Sequence, residues 1–266
     1  MIRRMGLYSF VYFWLLVLLV LPAVGIVVGA FQGGADQVWM ALTSPEGRFA
    51  LRLTLEITVL TVVINTVFGV LAALHIARRH MRGWRILNAV VDLPFAVSPV
   101  IAGLALVLVY GPNTFIGGWL QAQGAQVMFA FPGMVLATLF VTFPFVVREL
   151  VPVLRAAGVT EEEAAFTLGA SAWRTFWQVT FPNIRWSLWY GITLTIARAL
   201  GEFGAVLVVS GSVIMKTQTA TLYIYQATED GQMQVAYAMS LLLAAISFVI
   251  LLILQYLKKR QRRFTA

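Results

Sequence analysis

The sequence predicts an all-α polytopic membrane protein with six transmembrane helices and both termini in the cytoplasm. Hydrophobic residues make up 60% of the 266-residue chain and charged residues only 11%, whereas a soluble core of this length would need more polar surface to cover it. Six apolar runs are long enough to cross a bilayer, for which a helix needs roughly 20 residues. The chain has no cysteine, which excludes disulfides, thiolate metal sites and cysteine catalysis.

The six predicted spans are separated by loops of differing polarity. They lie near residues 8–30, 54–77, 90–110, 130–150, 187–210 and 235–257. We interpret the first as an uncleaved helix, because it is long and no small-residue cleavage site stands out. The third and fourth spans contain prolines, which predict kinks or segment ends there: Pro94, Pro99, Pro132, Pro144 and Pro152. This organisation divides the chain into an N-terminal helix with its outer loop (1–48), a membrane core (49–257) and a basic tail (258–266).

The positions of the basic residues predict the orientation. Most of the 19 Lys and Arg residues fall on one side: Arg3, Arg4, Arg78, Arg79, Arg82, Arg85, Arg148, Arg155, Arg174, Arg185, Lys258, Lys259, Arg260, Arg262 and Arg263. The other side has Arg48, Arg52 and Lys216, and Arg198 lies within a span. Cytoplasmic loops are enriched in Lys and Arg, so both termini are predicted to be cytoplasmic. The net charge of +8 is then explained by the anionic membrane face, and no nucleic-acid partner is expected.

One long cytoplasmic loop, near residues 155–185, contains a polar stretch that favours a short helix. Glu161, Glu162 and Glu163 suit the positive end of a helix dipole, Thr160 is a plausible N-cap, and Gly169 can end the helix. Such a helix, with small residues on one face, is suited to docking in a groove of another protein. An amphipathic interfacial helix that merely links two spans is the alternative.

Charged groups within the spans are functional candidates, because each is costly in hydrocarbon unless it is paired or hydrated. Arg198 and Glu202 lie four residues apart in mid-span, and the sequence predicts that they neutralise each other on one helix face. They form either a buried structural pair or a pair at a gate. Glu56 is expected to pair with Arg52 at the membrane interface, and Asp92 to be a helix-start acid or a subunit contact.

Two glycines beside the mid-span pair, Gly201 and Gly204, lower helix stability and permit close approach of another helix. The chain contains no nucleotide-binding, zinc-protease or nucleophile motif, so neither a catalytic nor a metal site is predicted.

The polar stretch resembles the EAA loop of ATP-binding-cassette importer permeases. The resemblance is carried by Glu163-Ala164-Ala165, Gly169 and Val179-x-Phe181-Pro182. In that family the loop forms the coupling helix, which seats in a cleft of a cytoplasmic ATPase. The resemblance therefore implies a coupling role for these residues: Glu161, Glu162, Glu163, Ala164, Ala165, Gly169 and Pro182.

Three further segments resemble the sulfate/thiosulfate subfamily of these importers, most closely its W-type subunit. They are Asp92–Gly103, Phe140–Leu150 and Thr180–Trp186. The segment Ala197–Val206 is shared with molybdate and tungstate permeases, and the chain departs from the sulfate pattern after Gly211. Import of molybdate or tungstate is therefore the alternative.

The resemblance implies a type I importer permease in the bacterial inner membrane. Its expected partners are an ATPase dimer that binds ATP and Mg²⁺, a second permease that is a related paralogue rather than an identical copy, an extracytoplasmic sulfate-binding protein and membrane lipid. The chain itself is expected to need no cofactor. The candidates for the pathway or gate are Arg198, Gly201, Glu202, Gly204, Ser98, Thr142 and Ser210, with Ser212 as a further polar donor. An ion-coupled carrier that works without an ATPase, a membrane enzyme and a scaffold are remoter alternatives.

Overall fold

The computed structural model describes residues 10–78 and 83–265, and within them the chain contains helices and no strands. The helices are, in chain order, α1 Phe10–Phe31, α2 Ala35–Thr43, α3 Pro45–Ala77, α4 Trp84–Ala96, α5 Pro99–Tyr110, α6 Phe115–Ala122, α7 Phe131–Ala157, α8 Thr160–Thr167, α9 Ala172–Leu200, α10 Gly204–Ser210, α11 Ala220–Glu229 and α12 Met233–Thr265. The predicted all-α class is therefore confirmed. Four basic residues used to predict the orientation lie outside the described residues: Arg3, Arg4, Arg79 and Arg82.

Four helices of the described chain, α1, α3, α7 and α12, are long and apolar enough to cross a membrane unbroken. The third and fifth predicted spans are instead bent pairs, α4 with α5 at 114° and α9 with α10 at 55°. Counting each pair as one span gives up to six. The kink or segment end predicted from the prolines of the third span is thus confirmed, whereas hydropathy alone does not locate the break in the fifth span.

Proline accounts for the first break, and glycines flank the second. Ser98 precedes Pro99 and has an extended conformation (φ −59°, ψ 137°), as expected because proline disfavours the helical conformation in the residue before it. At the other break, α9 ends at Leu200 and α10 begins at Gly204. Pro94, Pro144 and Pro152 lie inside helices that continue past them.

The core is built around α3, α7 and α9. One buried apolar cluster joins α3 and α7 to α10 and α11, and a second joins α3 and α7 to α4 and α9. Val146 of α7 lies between two glycines, since a Cβ atom at Gly69 would come within 2.9 Å of Val146 Cβ and one at Gly191 within 3.2 Å of Val146 Cα. Small residues thus allow these helices to approach closely, as is typical of membrane bundles.

Polar side chains also lie inside this bundle. Thr54, Thr58, Thr61 and Asn65 are buried along α3. Asn65 Nδ2 donates to Thr142 Oγ1 of α7 at 2.8 Å and to the carbonyl oxygen of Leu139 at 3.3 Å. A hydrogen bond between helices in an apolar bundle helps to define how they pack.

The close contact between α5 and α10 generates a stability prediction. A Cβ atom at Gly103 would lie 2.7 Å from the carbonyl oxygen of Ala205, so Gly103→Ala must push the two helices apart. We expect a loss of about 1–3 kcal/mol in the free energy of unfolding, measured by thermal unfolding in detergent. Gly25→Ala is the matched control, because nothing lies within 4 Å of its added Cβ atom. Equal stability of the two variants would contradict the packing described.

Candidate functional site

The connection between α7 and α9 (residues 158–171) contains the three-glutamate helix α8. Helix α7 extends to Ala157 and α9 begins at Ala172, so the connection is shorter than the predicted loop near 155–185. Gly158 has φ +68°, and Val159 is the N-cap of α8. Thr160 was predicted to be the N-cap, and this was wrong: the turn at Gly158 and Val159 places Thr160 inside the helix, and the N-cap provides no side-chain hydrogen bond.

Gly169 ends α8, as predicted. Its φ of +84° is unfavourable for residues with a Cβ atom. The Gly169 N–H donates to the carbonyl oxygen of Phe166 at 2.9 Å, and the Ala170 N–H donates to that of Ala165 at 3.0 Å. These two bonds form a Schellman motif, which satisfies carbonyl groups at the end of the helix.

The three glutamates of α8 have different surroundings. Glu162 is only 8% exposed; its Oε1 accepts a hydrogen bond from Thr180 Oγ1 at 2.6 Å, and its Oε2 pairs with the Arg78 guanidinium at the end of α3. Glu161 accepts a hydrogen bond from Asn183 Nδ2 of α9 at 2.8 Å. Glu163 is exposed. The stretch thus directs one carboxylate into the protein and presents another on the surface.

Pro182 shapes the segment of α9 that faces Glu162. Residues Phe176–Thr180 form a π-helical turn, and the Phe181 N–H donates to the carbonyl oxygen of Phe176. Proline has no N–H to continue the helical ladder and its ring crowds the preceding turn, which favours such a local irregularity. The other π-helical turn of the described chain, Leu16–Val20, also ends two residues before a proline, Pro22.

Large apolar side chains are exposed in and beside the α7–α9 connection. Leu168 is 88% exposed and Trp173 is 72% exposed, and Phe166 is also on the surface. A polar connection with exposed aliphatic and aromatic groups has the composition of a protein-docking surface. Phe166 and Leu168 lie within the motif itself, but the sequence did not predict how far these side chains are exposed.

The second polar centre lies at the break between α9 and α10. Arg198 Nη1 and Glu202 Oε2 are 2.8 Å apart, so the predicted pairing is confirmed. They do not share one helix face, however, because α9 ends at Leu200 and Glu202 lies in the break. There Glu202 Oε1 accepts a hydrogen bond from the Ala205 N–H at 2.9 Å, which satisfies a backbone donor in the first turn of α10.

Contacts from two other helices hold this break. The carbonyl oxygen of Glu202 accepts a hydrogen bond from Thr221 Oγ1 at 2.8 Å, and the neighbouring Ala220 N–H donates to Thr54 Oγ1 of α3 at 2.8 Å. A cavity of about 10 Å³ is lined in part by Thr54, Thr138, Glu202 and Thr219. That volume is close to the minimum that one water molecule needs.

The two helix breaks lie next to each other. A Cβ atom at Gly204 would lie 3.2 Å from Pro99 Cβ, which confirms the predicted close approach of another helix at this glycine. Gly201 and Ser98 are both exposed at the breaks. The bundle therefore places irregular backbone from two spans at one position, as in transporters whose sites are built from discontinuous helices.

The other polar pathway candidates are buried and hydrogen-bonded. Thr142 Oγ1 donates to the carbonyl oxygen of Thr138 at 2.6 Å in addition to its bond with Asn65. Ser210 Oγ accepts a hydrogen bond from the Ser212 N–H at 3.0 Å. Contact of any of these groups with a substrate stays a prediction.

A further ion pair joins α4 to α7. Arg148 Nε donates to Asp92 Oδ1 at 2.6 Å, and the Arg148 guanidinium also donates to Asn88 Oδ1 at 3.2 Å. Asp92 is therefore an interhelical partner inside α4 rather than a helix-start acid, and Arg148 lies inside α7. The predicted pair of Arg52 and Glu56 is confirmed, with Arg52 Nε 2.7 Å from Glu56 Oε1.

In the part of the chain that the structure describes, no three histidine, aspartate or glutamate side chains are arranged to bind a metal ion.

Comparison with known proteins places this arrangement in a transport family. Residues 65–263 match the family model described as binding-protein-dependent transport system inner membrane component. The chain is 45% identical over 248 residues to the sulfate transport system permease protein CysW of Synechocystis sp., covering 93% of this chain and 90% of the relative. It is 46% identical to CysW of Escherichia coli (strain K12), covering 91% of this chain and 84% of the relative.

A paralogous relative and a solved structure extend the comparison. The chain is 35% identical to the sulfate transport system permease protein CysT of Escherichia coli (strain K12), covering 91% of this chain and 88% of the relative. A chain of a bacterial ABC transporter involved in the import of the acidic polysaccharide alginate has a TM-score of 0.78 at 20% identity, covering 99% of this chain and 97% of that chain. At that identity the likeness establishes the fold alone.

The Arg198–Glu202 pair generates the second prediction. Glu202→Gln keeps an acceptor for the Ala205 N–H but leaves Arg198 without its counter-charge. Breaking a buried pair from one side costs about 3–5 kcal/mol, and we expect less here because the Arg198 side chain is 33% exposed. Thermal unfolding in detergent measures the loss. The double variant R198Q/E202Q should recover part of it, and a Glu202→Gln protein as stable as the original would contradict the pairing.

Proposed function

Because the chain belongs to the family of binding-protein-dependent transport system inner membrane components, we propose that it is the permease subunit of an ATP-binding-cassette importer that carries sulfate across the inner membrane. The observation that carries this proposal is the identity of 45–47% to CysW sulfate permeases over more than nine-tenths of the chain. This similarity favours sulfate over molybdate or tungstate. The shared Gly-Glu-Phe-Gly segment at Gly201–Gly204 did not distinguish among these anions.

The partner permease is a related paralogue in this proposal. Sulfate permeases under two names, CysW and CysT, are both similar to the chain, at 46% and 35% identity for the Escherichia coli (strain K12) proteins. Two related but distinct subunits would supply the two halves of a pathway. Helices α5 and α10, which meet at the adjacent breaks, would line this chain's half.

The ATPase dimer binds at the α7–α9 connection. The exposed Glu163 and the exposed Leu168 and Trp173 combine a charge with large apolar groups, which suits a cleft on a soluble subunit. ATP and Mg²⁺ would bind to that partner. A periplasmic binding protein would deliver the anion to the opposite face, as suggested by an alginate ABC transporter of the same fold that is solved in complex with its periplasmic protein.

The contacts between helix ends support an orientation with both termini in the cytoplasm. Arg78 of α3 pairs with Glu162, so the C-terminal end of α3 lies beside the α7–α9 connection. At the other end of the bundle, Gln234 of α12 donates to the carbonyl oxygen of Ala30 at 2.6 Å, which brings the start of α12 to the end of α1. The start of α1, the end of α12 and the connection then share one side, and this side has the excess of basic residues.

Transport proceeds by alternating access. Closure of the ATPase dimer on ATP would draw the connections of the two permeases together and open the pathway outward, and hydrolysis would reset it. Rocking of rigid bundles around a site with broken helices is a common transporter mechanism.

Uptake of labelled sulfate tests the substrate. In cells lacking other sulfate importers, the complete complex should import sulfate, and excess unlabelled sulfate should compete whereas equal molybdate should not. Uptake should stop when the ATPase subunit is deleted. Equal competition by molybdate would favour the alternative anion, and sulfate uptake that survives ATPase deletion and follows the proton gradient would indicate an ion-coupled carrier.

Glu163→Lys tests the docking surface. Reversal of an exposed interface charge should weaken association with the ATPase by about tenfold or more, measured by co-purification, while the amount of permease in the membrane stays the same. Gln121→Lys is the control, because Gln121 is exposed on α6, away from the α7–α9 connection. Unchanged association of the Glu163→Lys variant would contradict docking at this surface.

A further inference from the structure

We propose that Glu162 is a positioning residue that fastens the α7–α9 connection to α3 and α9, so that movement of the connection is passed directly to both helices. The inference rests on the proposed function, since it assumes that an ATPase moves the connection. Glu162 is the buried glutamate directly before the Glu163-Ala164-Ala165 motif, whereas the exposed Glu163 is the one that faces a partner.

The ion pair between Glu162 and the end of α3 joins two parts of the chain that are far apart in sequence. The connection is covalently continuous with α7 and α9 but not with α3, and Arg78 is separated from Glu162 by 84 residues. Arg78 is the C-cap of α3, where a cation also interacts favourably with the helix dipole. The ion pair therefore attaches the end of a 33-residue helix to α8.

The second bond of the same carboxylate reaches α9. Thr180 is buried and is the last residue of the π-helical turn before Phe181-Pro182. Its hydroxyl donates to Glu162 Oε1, while Arg78 occupies Oε2. Pro182 thus acts on the connection indirectly, because it favours the turn that directs Thr180 toward Glu162.

Burial makes this link stiff. Glu162 is only 8% exposed, and the space that it shares with Leu154 of α7 and Asn183 of α9 amounts to about 10 Å³. A buried carboxylate that loses one partner keeps its desolvation cost without the compensating attraction. The three elements are therefore expected to move as one body when the connection is pushed.

The pairing predicts an effect on coupling that is separate from docking. In Glu162→Gln and Arg78→Gln, the exposed docking groups remain, so the ATPase should still bind and hydrolyse ATP. Less of the movement of the ATPase should then reach α3. The number of sulfate ions imported per ATP hydrolysed should fall at least about fivefold, which is the lower end of the range typical for coupling between two sites. The charge exchange R78E/E162R should restore part of that ratio.

The experiment uses the complete permease–ATPase complex in proteoliposomes with its binding protein, and measures ATPase co-purification, ATP hydrolysis and sulfate import together. Glu56→Gln is the matched control, since it breaks an exposed ion pair with Arg52 at the other end of the same helix and should leave the ratio unchanged. Arg78→Gln keeps the test valid if Glu162→Gln fails to fold, because Arg78 is 44% exposed.

Two results would overturn the inference. One is a sulfate-to-ATP ratio in Arg78→Gln and Glu162→Gln equal to that of the unmodified complex; the other is a charge exchange that folds and binds the ATPase but restores nothing. Failure of the unmodified complex to import sulfate would instead count against the proposed function.

Discussion

A charged group in an apolar bundle is costly unless it is paired or hydrated, and ion pairs connect several parts of this structure. Three ion pairs are involved: Arg78–Glu162, Arg148–Asp92 and Arg198–Glu202. The first attaches a polar connection to α3, the second joins α4 to α7, and the third stabilises a break within a span. The cost of an unpaired charge in this environment makes such links specific, because few alternative arrangements satisfy both partners.

The two helix breaks and a π-helical turn lie close to two of these ion pairs, Arg198–Glu202 and Arg78–Glu162. Pro99 separates α4 from α5, Gly201 and Gly204 flank the break after α9, and Pro182 follows the π-helical turn that faces Glu162. The freed backbone groups have partners, such as the Ala205 N–H on the Glu202 carboxylate. Breaks of this kind are tolerated in a membrane helix where the neighbouring helices satisfy the exposed polar groups. They also provide places at which rigid segments can change their relative angle.

The sequence predicted the all-helical class, the family and the position of the polar connection, because apolar runs and a short motif are local properties. It did not predict the features that depend on contacts between residues far apart in the chain. The prolines of the third span predicted an interruption there, but hydropathy runs smoothly across Gly201 and did not locate the break in the fifth span. Glu162 and Glu163 are chemically identical, and the contacts with Arg78, 84 residues away, and with Thr180 distinguish the buried one from the exposed one. Thr142 was chosen as a pathway candidate by residue type, yet its hydroxyl contacts Asn65 and Thr138.

We propose that the α7–α9 connection lies in the cytoplasm and is covered by an ATPase. The absence of native cysteine allows a direct test with one introduced cysteine at Leu168, which is 88% exposed. We predict that Leu168→Cys reacts with a membrane-impermeant maleimide in inside-out vesicles, does not react in right-side-out vesicles, and is protected when the ATPase subunit is bound. Labelling from the outer side, or labelling that the ATPase does not reduce, would contradict the account.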